Sequence, residues 1–219
     1  TVYVIEGGYK TFRRFALESF TTDAKICVIG GYTGSGKTHI LNRLFKNGDQ
    51  IIDLEGTANH KGSAFGRIGN GEQPSIEQFE NNLFWMWKEL DYSKIIWVED
   101  ESHRIGDVNI PMTFYENMRS KPVVFVDIPR SERIKHLVEE YADCPKTELI
   151  DSIERISKRL GGKNKQIAIT SIEENKFDET ANIALSYYDK YYLRGLKNRA
   201  LQNNIYTLKL GEVNPVQNA

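Results

Sequence analysis

The chain has 219 residues, 40% hydrophobic and 27% charged, which is the make-up of a folded globular chain with apolar side chains enough for one substantial core; disorder, a collagen-like fibre and a membrane-embedded chain are excluded. Its 29 Lys and Arg against 30 Asp and Glu leave a net charge of −1, so any contact with a polyanion must be a local patch. No apolar run approaches the roughly 18 residues of a bilayer crossing, and the first residues show no charged stretch followed by an apolar one, so no membrane partner and a cytoplasmic location are expected.

The chain starts at Thr1, and Val2-Tyr3-Val4-Ile5 reads as a short strand running into Gly7-Gly8, so the sequence is expected to be a fragment or a processed product. Tyr9, Phe12, Phe15 and Ala16 recur at helical spacing and predict a helix ending near Phe20; this opening unit is too small to hold a core alone. From Ala24 strands and helices alternate. Strands are predicted at 25–29, 50–54, 94–98, 123–128 and 166–170, with an edge strand at 205–210. Helices are predicted at 38–45, 75–90, from about 131 to Tyr141, 147–160 with Gly161-Gly162 as the stop, and about 178–197; residues 214–219 are expected to fray. The fold class is therefore α/β, a doubly wound and mostly parallel sheet with helices on both faces.

Between the first strand and its helix stands Gly31-Tyr32-Thr33-Gly34-Ser35-Gly36-Lys37-Thr38, a complete G-x-x-x-x-G-K-[ST] loop. The backbone of Gly31, Thr33, Gly34, Ser35 and Gly36 can converge on phosphate oxygens, Lys37 adds a point charge, and the Thr38 hydroxyl is a ligand for Mg2+. A metal-side carboxylate is expected at the end of another parallel strand, where Ile95-Ile96-Trp97-Val98 runs into Glu99-Asp100-Glu101-Ser102; Asp100 is the first candidate and Glu99 the second. The stretch from Asp53 to Arg67 gathers Asp53, Glu55, Asn59, His60, Lys61 and Arg67 at the exit of the second strand, an edge that faces ligand, although a solvated loop has the same composition. No nucleophilic triad is formed by His39, His60, His103 and His136. Cys27 and Cys144, far apart and outside any metal or CxxC spacing, read as small packing residues. Tyr187, Tyr188, Tyr191 and Tyr192 with Arg194, Lys197 and Arg199 suit either base stacking or half-buried packing.

The P-loop segment, the Asp53–Gly66 stretch, the Gln73-Pro74-Ser75 helix start with Glu77-Gln78-Phe79-Glu80-Asn81, and Val98-Glu99-Asp100-Glu101-Ser102 together resemble tRNA 2-selenouridine synthase over most of residues 1–145. The resemblance implies a transferase with a rhodanese-like domain ahead of this one. Residues 1–22 then look like the closing strand and helix of that domain, and 23–219 form the P-loop domain with a C-terminal helical extension and edge strand. It also implies the reaction: the wobble 2-thiouridine of certain tRNAs is S-geranylated from geranyl diphosphate, and sulfur is then exchanged for selenium from selenophosphate. In this frame Lys37, Asp53, Glu55 and Asp100 are the expected catalytic groups, Thr38, Glu99 and Asp100 the Mg2+ side, and Asn59, His60, Lys61, Arg67, Glu101 and Ser102 the substrate or RNA contacts. The family's rhodanese cysteine has no counterpart here, since neither Cys27 nor Cys144 stands in a rhodanese-type loop; a separate rhodanese-like domain or subunit is the expected partner.

Two other readings stay open. A small-molecule kinase or NTPase would place ATP or GTP on the same loop, with Arg130, Arg133 or Lys158-Arg159 reaching the transferred group. A non-catalytic tRNA-binding half would only present substrate. An apolar prenyl pocket has candidate walls in Phe79, Leu83, Trp87 and Tyr115, which core packing explains equally well.

Overall fold

The computed structural model describes residues 2, 4–200 and 204–219. In chain order the elements are α1 (Gly8–Ser19), β1 (Lys25–Gly31), α2 (Lys37–Lys46), β2 (Gln50–Ile52), α3 (Leu54–Ala58), α4 (Ile76–Lys88) and β3 (Ile95–Glu99). A hairpin of β4 (Arg104–Ile105) and β5 (Val108–Asn109), α5 (Met112–Arg119), β6 (Val123–Asp127) and α6 (Arg130–Tyr141) follow. The chain closes with α7 (Lys146–Leu160), α8 (Gly162–Glu173), α9 (Phe177–Ala200), β7 (Ile205–Lys209) and α10 (Pro215–Asn218).

Five strands form one sheet in the order β2-β3-β1-β6-β7, every neighbouring pair parallel. Alternation of side chains across β1 explains why both faces are covered. Ile26 and Val28 join Ile96 and Val98 of β3 in a core closed by α1, α4 and α5 through Phe20, Trp87 and Phe114. Ile29 faces the other way, with Val126 and Ile128, onto Ile40 and Leu41 of α2. A third apolar cluster sits off the sheet, where α7, α8 and α9 pack Ile153, Ile156, Ala168 and Ile172 together with Ile68.

Four expectations are corrected. Val2, Val4 and Ile5 are exposed and in no strand, while Tyr3 lies outside the described residues. The strand expected at 166–170 is the middle of α8: its buried side chains, Ala168, Ser171 and Ile172, fall at helical spacing and pack within the off-sheet cluster. The second strand stops at Ile52, because the Asp53 side chain accepts the Gly56 N–H at 2.7 Å and caps α3. The tail is helical rather than frayed, since Asn214 Oδ1 accepts from Val216 N and Gln217 N and Pro215 occupies the first turn. Cys27 and Cys144 are only partly buried. The edge strand at the C-terminus is present as β7, and α1 packs on α4, so the opening helix is part of the main core.

Candidate active site

The loop between β1 and α2 leaves the carboxyl edge of the central strand, with β3 on one side and β6 on the other, where parallel sheets hold their ligands. The loop's glycines answer to its shape. Gly36 has φ +73°, and a Cβ there would lie 2.6 Å from Val213 Cγ1; the loop is thus closed over by the segment before α10. Lys37 Nζ donates to the Gly31 carbonyl at 3.2 Å, which lays the ammonium across the loop. Ser35 is buried, its hydroxyl without a hydrogen-bond partner among the described residues.

Thr38 stands at the mouth of a carboxylate cluster. Its Oγ1 is 2.9 Å from Glu55 Oε2 and 3.0 Å from Glu99 Oε2, and Glu99 Oε1 accepts the Glu55 backbone N–H at 2.8 Å. One hydroxyl carries one proton, so the second contact needs a proton on a carboxyl group. The electrostatics agree. Burial, with the charges of Glu55 and Asp53, pushes Glu99 up to about 8, and burial and the Glu55 charge hold Glu101 well above the usual carboxylate range. Glu55 is raised as well, chiefly by burial and against the pull of Lys37.

Of the two strand-end candidates, Glu99 rather than Asp100 therefore faces Thr38. Asp100 instead braces the loop from the side, where Oδ1 accepts from Arg119 Nη1 at 3.2 Å and Oδ2 from the Tyr192 hydroxyl at 2.9 Å. The same hydroxyl accepts the Gly31 N–H at 2.9 Å, so α9 is tied to the start of the loop. Thr38, Glu55 and Glu99 are hard oxygen donors within hydrogen-bond reach of one another, a donor set that fits Mg2+. Among the described residues no group of three His, Cys, Asp or Glu is arranged to hold a metal ion.

From the loop a cleft of about 1190 Å³ runs on between α6, α7 and α9. Its lining also includes the apolar side chains of Leu137, Tyr141, Leu149, Ile156, Ala181 and Leu185, with Lys61, Arg155 and Arg159 among its charged members. One cleft thus joins the P-loop to apolar and to cationic side chains.

The family is read from residues 24–151, which match the model described as the AAA domain of tRNA 2-selenouridine synthase. The chain belongs to the tRNA 2-selenouridine synthase family. It is 32% identical over 230 residues to the tRNA 2-selenouridine synthase of Shewanella frigidimarina, covering 89% of this chain and 61% of that protein. The enzyme of the same name from Nitrosomonas europaea is 30% identical, with 90% of this chain and 63% of that protein covered. That from Pseudomonas syringae pv. tomato is 34% identical, with 78% and 53% covered. The chain therefore spans between half and two thirds of the length of these relatives.

The other residues of the family motifs divide into two groups. His60, Lys61, Arg67, Glu101 and Ser102 line the cleft, whereas Asp53 and Asn59 serve the ends of α3, Asn59 with φ 51° and its amide on the Glu72 carbonyl at 3.0 Å. His60 is buried rather than solvated; burial and Arg67 hold its pKa down, and its Nδ1 has no hydrogen-bond partner among the described residues. Lys61 Nζ donates to Glu140 Oε1 at 2.6 Å, and Arg67 is paired with Asp107. Phe79, Leu83 and Trp87 are in the sheet core rather than the cleft; Tyr115 does line it. Neither motif nor spacing points to Arg119 or to the α6 wall, where His136 stacks edge-on with His39 at 5.1 Å. The Tyr192 contact does have a signal: the i, i+4 spacing of Tyr188 and Tyr192 puts both on one face of α9, and Tyr188 accepts the Ala64 N–H at 3.0 Å. The side chains of Lys197 and Arg199 lie outside the described residues.

Proposed function

We propose that this chain is the prenyl-transfer part of a tRNA 2-selenouridine synthase, binding geranyl diphosphate and alkylating the sulfur of a wobble 2-thiouridine. The observation that carries this reading is a single cleft lined by both the phosphate loop and apolar side chains such as Leu137, Leu149, Ile156 and Leu185. A nucleotide would use the loop and leave the apolar part of the lining unexplained.

The chemistry asks little of the protein beyond charge and position. A lone pair on the thiouridine sulfur forms a bond to the prenyl C1, the C1–O bond breaks, and its electron pair leaves on diphosphate while the base releases a proton. The converging N–H groups of the loop and the Lys37 ammonium stabilise the charge that develops on the leaving group. Thr38 and Glu99 are the residues that would hold a Mg2+ ion, which when bound would add positive charge to the leaving group. The apolar walls exclude water from the reactive carbon, which otherwise hydrolyses. Exchange of sulfur for selenium with selenophosphate falls to a rhodanese-like domain or subunit acting with this chain. Two of the arginines named for the kinase reading are engaged elsewhere: Arg133 pairs with Asp189 at 2.9 Å, and Arg130 donates to the Asn182 carbonyl and to Ser186, both at 2.6 Å; of that set Arg159 alone lines the cleft.

The test is calorimetric titration with geranyl diphosphate and, separately, ATP, each with Mg2+. Geranyl diphosphate is expected to bind more tightly, and Lys37→Ala to weaken it at least tenfold. Tighter binding of ATP, or unchanged binding by the variant, would overturn the assignment.

A further inference from the structure

The rim of the cleft carries an arrangement that donor binding does not use. Tyr191 on α9 is 46% exposed. The Arg159 guanidinium of α7 lies 5.6 Å from its ring centre and that of Arg194, three residues further along α9, 5.9 Å. Tyr187, one turn earlier, brings its ring to 4.8 Å of Tyr191 and accepts a hydrogen bond from Arg159 at 2.8 Å. One turn back along α7, Arg155 is exposed and donates to the Ala64 carbonyl at 3.1 Å. These hydrogen bonds of Arg155 and Arg159 thus end on neutral oxygens, which leave the positive charges uncompensated at those contacts. Arg155, Arg159, Tyr187 and Tyr191 all line the cleft mouth, in a chain whose net charge is −1.

We propose that this rim is the docking surface for a single-stranded RNA loop, with an unstacked base laid against the Tyr191–Arg159–Arg194 layer and neighbouring phosphates on Arg155 and Arg159. The physical reason is steric: a base whose sulfur is to meet a carbon held at the phosphate loop, inside the cleft, must leave its stack, and the nucleotides beside it need a surface to replace that stacking. Unpaired RNA is recognised by stacking on aromatic rings and on guanidinium planes. Interleaved arginine and tyrosine offer both, and a cationic rim with aromatic rings distinguishes RNA from an acidic protein, which uses the charge alone. This assignment rests on the reading of the chain as a tRNA-modifying enzyme.

Fluorescence anisotropy with a labelled RNA stem–loop carrying 2-thiouridine in a seven-base loop tests it. Tyr191→Ala is expected to weaken binding roughly tenfold and Tyr191→Phe to leave it near wild type. Arg159→Ala is expected to weaken binding and to lower the slope of log affinity against log salt by about 0.7, the value for one phosphate contact on a single strand. RNA binding by all three variants equal to wild type would overturn the proposal, as would failure of the wild-type chain to bind the stem–loop, or equal binding of polyglutamate. Geranyl diphosphate titrated into the same variants without RNA is expected to bind as in wild type, which also reports that they are folded. If the donor does not bind but RNA affinity depends on Tyr191, the donor assignment fails and the rim stands; the reverse pattern fails the rim alone.

Discussion

At the scale of single residues the site is built from groups that are each at odds with their surroundings until a ligand arrives. Glu99 is fully buried beside Glu55, with Thr38 between them. Glu99→Gln keeps the shape and removes one potential charge. It is expected to raise the stability of the ligand-free chain by on the order of 1 kcal/mol in urea unfolding, while weakening Mg2+-dependent binding of the donor. Loss of both stability and binding would mean that Glu99 is a structural acceptor only. Tyr192 is the opposite case, a residue whose hydroxyl is already used twice, by Gly31 N–H and Asp100. Tyr192→Phe should cost about 1–3 kcal/mol in the same assay, because a backbone N–H at the start of the loop then loses its acceptor.

At the scale of elements, the turn between β1 and α2 is held from outside as much as by its own sequence. Gly36→Ala meets two obstacles, the left-handed backbone and Val213. The first costs about 1–2 kcal/mol by itself. In the double variant with Val213→Ala the remaining Val213 Cβ position lies 4.0 Å from the added methyl, so the collision is relieved while the backbone strain stays. Partial recovery of the melting temperature is the expected result, and full recovery would show that backbone strain is negligible there. The legibility of these elements in the sequence follows the same division. The P-loop and strands β1, β3 and β6 are readable because their signals are local: a fixed motif, and apolar runs ended by glycine or acid. The α8 segment defeats such a reading because Gln166-Ile167-Ala168-Ile169-Thr170 has the composition of a strand, and only its neighbours α7 and α9 decide which residues are buried. The choice between Glu99 and Asp100 is unreadable for a related reason. Adjacent residues on a strand point to opposite faces, and which of the two meets Thr38 depends on the register of β3 against β1, where Glu99 stands opposite Ile29.

At the scale of the whole molecule, a buried ion pair joins two helices that wall the cleft, α6 and α9, and ties them to the phosphate loop through Thr33. Arg133 on α6, 3% exposed, bonds both Asp189 oxygens on α9 at 2.9 Å, the Thr33 carbonyl at 3.1 Å, and lies 4.8 Å from the Tyr32 ring centre. Removing Asp189 leaves a buried guanidinium with its charge uncompensated. Asp189→Ala is expected to cost about 3–5 kcal/mol. Hydrogen exchange should show the loss first in α9, and donor affinity should fall although no residue proposed to touch the donor has changed. A variant that exchanges like wild type would mean that apolar packing of α7, α8 and α9 alone keeps the cleft closed.

The order of the strands has a further consequence, for the way the chain comes together. β6 and β7 lie side by side in the sheet, yet the whole helical layer, from α6 through α9, is strung between Asp127 and Ile205. The sheet cannot gain its last strand until everything between them has been made and folded back. Until then the outer edge of β6, with its apolar Val123 and Phe125, is an open ladder able to pair with another chain. The segment that walls the cleft is therefore also the delay in completing the sheet, and chains released within it would be the aggregation-prone products of synthesis.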